Sequence, residues 1–137
     1  MKNFKNLFVM VMVLVVLMVL APACKTADVD PVEQDDIQFV SMDVKADQFG
    51  GAADVSVNSI VKVKTFATTR VSVTVHFGSK ENGVTVDIPS TDGKWVTVSI
   101  PTVTYGLYSG TYEIKAEFTL KSNGKVVASP ITQVVVY

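Results

Sequence analysis

Side chains that carry chemistry are scarce in this 137-residue chain, which has one cysteine, one histidine and one tryptophan. A single cysteine excludes an intrachain disulfide framework, and a single histidine excludes most metal and triad chemistry. Neither sign of charge dominates. Lys and Arg number 12 against 13 Asp and Glu, a formal net charge of −1, which excludes the broad basic footprint of a nucleic-acid binder. Glycine-rich phosphate loops are missing too, since Gly50-Gly51 introduces no helix. The length allows one domain once a leader is removed.

What is present begins with an N-terminal leader. Lys2 and Lys5 precede an unbroken apolar run from Leu7 to Leu20, followed by Ala21-Pro22-Ala23-Cys24. A charged start, an apolar core and small residues before a cut make a secretory signal peptide over residues 1–23. The run is shorter than the ~20 residues that span a bilayer core. The residues around Cys24 resemble the lipobox of bacterial lipoproteins, with Ala21 where that family carries a large aliphatic and Leu20 one step further out. The resemblance implies a diacylglycerol on the Cys24 thiol, cleavage before it, and export to the cell envelope. Ala21-x-Ala23 also fits an ordinary signal-peptidase site. Both enzymes cut between Ala23 and Cys24, and only the lipid differs.

Residues 24–36 form the expected tether. Lys25 to Asp36 holds five acids, Asp28, Asp30, Glu33, Asp35 and Asp36, and too few apolar residues to offset the entropy of ordering. These acids lack the glycine turn and closing Glu of a calcium loop, so a solvated spacer is expected. Twelve such residues reach on the order of 20 Å, which keeps a domain close to a membrane.

From Ile37 to Tyr137 the pattern is period two, the mark of strands half-buried on one face. Val71, Val73, Val75 and Phe77 alternate with Arg70, Ser72, Thr74 and His76. Tyr112, Ile114, Ala116, Phe118 and Leu120 alternate with polar residues in the same way, as do Val55, Val57, Val61 and Val63 with Ser59 between them. Val96, Val98 and Ile100 form a fourth inward face. Ile37–Val44 changes phase near Phe39-Val40, as a bulge requires. Gly83–Ile88 is a short run, and Lys125–Tyr137 is broken at Ser129-Pro130, which places that proline at an edge or bulge. Turns are expected at Phe49-Gly50-Gly51, Gly78 to Gly83, Thr91-Asp92-Gly93 and Ser122-Asn123-Gly124. Asn123-Gly124 predicts a type I′ hairpin, in which both residues take positive φ. No helix is expected.

About seven strands with frequent turns argue an all-β fold, an antiparallel two-sheet sandwich over residues 37–137. Ser109-Gly110-Thr111-Tyr112-Glu113-Ile114 resembles the start of strand F in an immunoglobulin-like domain. The resemblance gives Tyr112 the role of the tyrosine corner, its hydroxyl capping the preceding turn. Ile114 stands where that family has its second cysteine, so aliphatic packing replaces the inter-sheet disulfide. Fibronectin-type and bacterial surface-type sandwiches fit the same residues.

Catalytic parts are not found. His76 is placed on the solvated face of its strand with no nucleophile motif beside it. Glu113 and Glu117 share an outer face with Lys115 between them, which reads as charge balance rather than a glycosidase pair. With one His, and Met42 the sole methionine after the leader, copper and zinc lack ligands, and no cofactor is implied. The expectation is a protein that is not an enzyme.

Three aromatics are the candidate ligand contacts. Trp95 points outward if Val96, Val98 and Ile100 point inward, and Tyr105 and Tyr108 follow in the loop expected from Thr102 to Ser109. Exposed aromatics stack on sugar faces or anchor protein partners. They can equally cover a sheet edge or pin their own loop. A second candidate surface is the edge of the last strand, Thr132 to Tyr137, which can equally be paired internally as strand G. The expected function is a non-catalytic envelope or surface lipoprotein, held to the membrane through Cys24 and binding a protein or glycan. The alternatives are an assembly subunit docking through a sheet edge and a small inhibitor acting through a loop.

Overall fold

A computed structural model describes residues 33–137 of the chain. The leader (residues 1–23), Cys24 and residues 25–32 of the expected tether lie outside the described residues. Among the described residues there is no helix. Eight strands follow one another: β1 (Asp36–Phe49), β2 (Ala52–Lys64), β3 (Thr69–Phe77), β4 (Lys80–Ile88), β5 (Val96–Tyr108), β6 (Gly110–Leu120), β7 (Val126–Ala128) and β8 (Thr132–Val136). The first of them starts on Asp36, the last of the expected tether acids.

The strands form two antiparallel sheets, β1-β2-β5 and β4-β3-β6, with β7 and β8 both paired to β6. They enclose an all-β sandwich. β4 pairs with β3 in the second sheet, whereas the constant-type immunoglobulin places its fourth strand beside the first sheet. Three of the four inward faces are those the alternation predicts; in the fourth, Ile100 is buried and Val98 half-buried, but Val96 is exposed at the open end of edge strand β5. Val71, Val73, Val75 and Phe77 of β3, Ile114, Ala116, Phe118 and Leu120 of β6, and Val55, Val57, Val61 and Val63 of β2 are all buried. Two aromatic pairs bridge the sheets, Phe39 with Phe118 at 6.0 Å between centroids and Phe77 with Tyr105 at 5.5 Å.

Departures from strict alternation have local causes. β1 carries a register shift between Phe39 and Ser41, at the expected phase change. β5 carries another, where Val57 pairs Val103 but Ser59 pairs Ile100. The extra residue lies at Pro101-Thr102, and a proline at a bulge of an edge strand sacrifices no ladder hydrogen bond. Thr102–Ser109 is therefore not a loop: β5 continues through the bulge to Tyr108 with its phase reset. Likewise β4 begins at Lys80, because Gly78-Ser79 alone makes the turn from β3, with Gly78 at φ 63°. At the β1–β2 hairpin, Gly50 (φ 55°) and Gly51 (φ 85°) supply the two positive φ values of a type I′ turn. The expected type I′ turn at Asn123-Gly124 does not form. Only Gly124 has positive φ, and Leu120 N donates to Lys125 O at 2.8 Å to close a longer loop.

Side-chain amides and hydroxyls finish the sheet edges. Gln48 Nε2 donates to Val135 O at 2.9 Å, and Tyr137 N donates to Gln48 Oε1 at 3.1 Å, so one carboxamide from β1 takes up edge groups of β8. On the opposite flank Asn82 Nδ2 donates to Thr104 O at 3.0 Å, joining β4 to β5. At the β7–β8 break, Ala116 N donates to Ser129 Oγ at 2.9 Å and Ser129 N donates to Ala116 O at 2.8 Å. Buried Ser129 thus holds the ladder to β6 together just before Pro130, which has no N–H to give.

Candidate binding site

The lone histidine sits in a ladder of charges on the outer face of the second sheet. His76 lies opposite Glu81 on one side and Lys115 on the other. Its Nε2 is 3.4 Å from Glu117 Oε2 and its Nδ1 is 3.6 Å from Glu81 Oε2. Lys115 Nζ, 3.1 Å from Glu117, is the main cause holding the Glu117 carboxyl below its ordinary value, with His76 second. Both acids of this ladder are paired with a base, Glu81 with His76 and Glu117 with His76 and Lys115, and Glu117 also stands opposite Thr74. Among the described residues, no group of three or more His, Cys, Asp or Glu is placed to hold a metal ion.

The aromatic candidates separate. Trp95 and Tyr108 flank the two ends of β5, and the twelve-residue step along β2 from the level of Ala52 to that of Lys64 sets them on the order of 40 Å apart. Trp95 is 41% exposed, with the Lys64 ammonium 5.3 Å from its ring centroid. Tyr105 turns inward onto Phe77, because the Pro101 bulge shifts the phase of β5. Tyr108 is 81% exposed. The structure does not bring Trp95, Tyr105 and Tyr108 onto one surface.

A different partner stands beside Tyr108. Ala52 pairs with Phe49 on one side and with Tyr108 on the other, so the three form one row across the first sheet. Phe49 is 53% exposed. Strands lie ≈ 4.8 Å apart, so the two rings rise from positions about 10 Å apart over a methyl floor. Together with Ala53, Gly106 and Leu107 they line an apolar depression of about 220 Å³. The next row is Asp47, Asp54 and Gly106. Asp47 and Asp54 face each other directly, a like-charge pairing that costs stability. Asp54 Oδ1 lies 3.5 Å from the point where a Cβ on Gly106 would stand, so it leans over the bare backbone beside the depression.

Local structure holds this row in place. The Gly50-Gly51 turn sets the register that puts Phe49 opposite Ala52, and Ser109 N donates to Gly51 O at 2.9 Å. Tyr112 donates its hydroxyl to Tyr108 O at 2.8 Å across the turn into β6. Phe49 was not among the sequence candidates. Its turn was legible, but the pairing of β2 with β5 that brings Tyr108 beside it spans over forty residues and leaves no local signal.

No protein-family model matches the chain, and no curated protein sequence matches it. Among solved structures, the FixG-related protein from Vibrio parahaemolyticus is similar over 79% of this chain and 98% of its own, at 15% identity and a TM-score of 0.47. A calcium-binding mutant of Bacteroides uniformis beta-glucuronidase 2 is similar over 69% of this chain, at 11% identity and a TM-score of 0.46. The match covers 13% of that enzyme chain.

Proposed function

We propose that the protein is a non-catalytic, lipid-anchored binding module of the cell envelope, and that it takes a glycan at the Phe49–Tyr108 depression. The observation that carries this reading is the row Phe49, Ala52, Tyr108, in which two exposed rings flank the single methyl group of Ala52. A pyranose presents an apolar face that stacks on an aromatic ring and hydroxyls that donate to carboxylates. Asp47 and Asp54 supply acceptors one row away. The like-charge pair, otherwise a cost, gains a use when hydroxyl donors lie between its members.

Export follows from the leader, and attachment through a lipid on Cys24 from the lipobox-like residues; neither rests on the described domain. Nucleic acid is not among the expected partners of so evenly charged a chain. Docking of an assembly partner along the β8 edge is the weaker reading, because Gln48 already occupies that edge at Val135 and Tyr137.

Co-sedimentation of the full chain with insoluble peptidoglycan, cellulose and chitin tests the glycan reading. Retention on at least one of them is expected, with Phe49→Ala and Tyr108→Ala each weakening it about tenfold or more, the loss typical of a buried aromatic anchor. Unchanged thermal midpoints show that the variants are folded. Retention that survives both substitutions places the site elsewhere, and no retention on any of the three removes the glycan reading.

A further inference from the structure

We propose that the end of the sandwich where the chain enters rests on an anionic bilayer surface and holds the Phe49–Tyr108 end outward. The inference rests on the lipid-anchor reading above. The chain enters at Asp35-Asp36, eleven residues after Cys24, and the same end carries exposed Phe66 (39%), Trp95 and Val96 (43%).

These side chains are mounted on a fixed corner. Thr65 is fully buried; its N–H donates to Thr91 Oγ1 at 2.9 Å and its hydroxyl to Pro89 O at 3.1 Å. Its carbonyl accepts from Thr91 N at 3.1 Å and Gly93 N at 3.0 Å. Phe66 N donates to Asp35 Oδ1 at 2.8 Å, and the Phe66 ring covers Gly93 so closely that a Cβ there would lie 2.5 Å from Cε1. The corner is therefore rigid, and it still leaves two aromatic rings in solvent.

The charges of this end suit an anionic lipid surface. Lys62, Lys64, Arg70, Lys94, Lys121 and Lys125 are here, against Asp35, Asp36, Asp87 and Asp92. Arg70 is neutralised by Asp87 at 2.9 Å and Lys125 by Asp36. Asp35 accepts from Phe66 N and Asp92 from Ser90 Oγ, and both keep their charge, so six bases against four acids leave this end an excess of two positive charges. Lys62, Lys94 and Lys121 carry that excess together with Lys64, which stands opposite Asp36 with Trp95 beside it. Tryptophan favours the headgroup level, and lysines near it are drawn to anionic leaflets. Asp28, Asp30 and Glu33 just upstream oppose this attraction, so the contact depends on the lysines and yields to salt. The lipid supplies the attachment; the corner sets the orientation.

Trp95 is the chain's single tryptophan, so its emission reports the contact without labelling. The full chain, matured in a bacterial host and purified from membranes, is reconstituted into phosphatidylcholine vesicles with or without phosphatidylglycerol, each made with and without brominated acyl chains. In phosphatidylglycerol vesicles the emission is expected to move to shorter wavelength and to be quenched by the brominated lipid. Raising salt from 0.1 to 1 M shortens the screening length from about 10 to about 3 Å and should reverse both changes while the protein still floats with the vesicles. Lys64→Glu with Lys94→Glu should do the same at low salt. Flotation with emission that is unquenched, or equal in both lipids and insensitive to salt, overturns the proposal and leaves the anchor standing. Failure to float at all removes the anchor reading and the proposal with it.

Discussion

The hydroxyl of Tyr112 holds the carbonyl of Tyr108, so a half-buried ring sets the place of an exposed one four residues upstream. Single side chains do comparable work in the charged pairs. Lys125 is the main cause holding the Asp36 carboxyl below its ordinary value of 3.8, and Lys115 does so for Glu117 against 4.5. For both acids the folded value lies below the unfolded one. Their contribution to stability is therefore complete above about pH 5 and is lost as pH falls through the depressed folded values. Both pairs are partly exposed, so solvent weakens the contribution. Denaturant midpoints measured from pH 7 down to pH 3 should fall less steeply below about pH 4.5 in Lys115→Ala and Lys125→Ala than in the unaltered chain. Parallel curves would mean that the pairs do not persist in solution. At this scale the sequence was informative in the central strands, where Val71, Ile114 and Phe118 all face the core as their parity requires, and less so at the start of edge strand β5, where Val96 keeps the parity but is exposed. Tyr105 was misplaced because a proline looks like a strand end, and only the partner strand reveals the bulge that absorbs it.

Among the elements, β8 is the most exposed to unwanted pairing. It is short, carries no charged residue, and lies at the edge of its sheet. Edge strands of this kind are templates for another chain unless something covers them. Gln48 supplies the cover at Val135 and Tyr137 from across the sandwich, with both ends of its carboxamide used. Gln48→Ala should leave the fold intact and produce concentration-dependent self-association in sedimentation velocity, absent from the parent protein. A Gln48→Ala protein that stays monomeric at the highest concentrations would show that the edge is blunted by other means. The sequence offered this strand either as a free edge or as an internally paired last strand, and gave no sign that Gln48 caps it, since the two residues bonded to each other are 87 positions apart. Turns followed the same rule. Gly50-Gly51 could be read locally because both conformational demands fall on glycine, whereas Asn123-Gly124 offered a two-residue turn that the longer closure between Leu120 and Lys125 displaced.

The whole domain has two unlike ends. One receives the chain and carries the Thr65–Thr91 corner with its lysines and Trp95; the other carries Phe49 and Tyr108 over Ala52. Strand β5 runs from the neighbour of Trp95 to Tyr108, which is why two residues that looked like parts of one site belong to opposite poles. An orientation with the aromatic depression facing outward requires a covalent attachment at the entering end, and that attachment is the claim on which the functional reading depends. Its most direct test is the intact mass of the mature protein extracted from membranes of a bacterial host. The expected mass begins at Cys24 and carries a diacylglycerol, with or without an added acyl group on the new amine. A mass that begins at Cys24 without lipid, or that retains residues 1–23, would contradict the anchored module and leave the Phe49–Tyr108 depression on a protein free of the membrane.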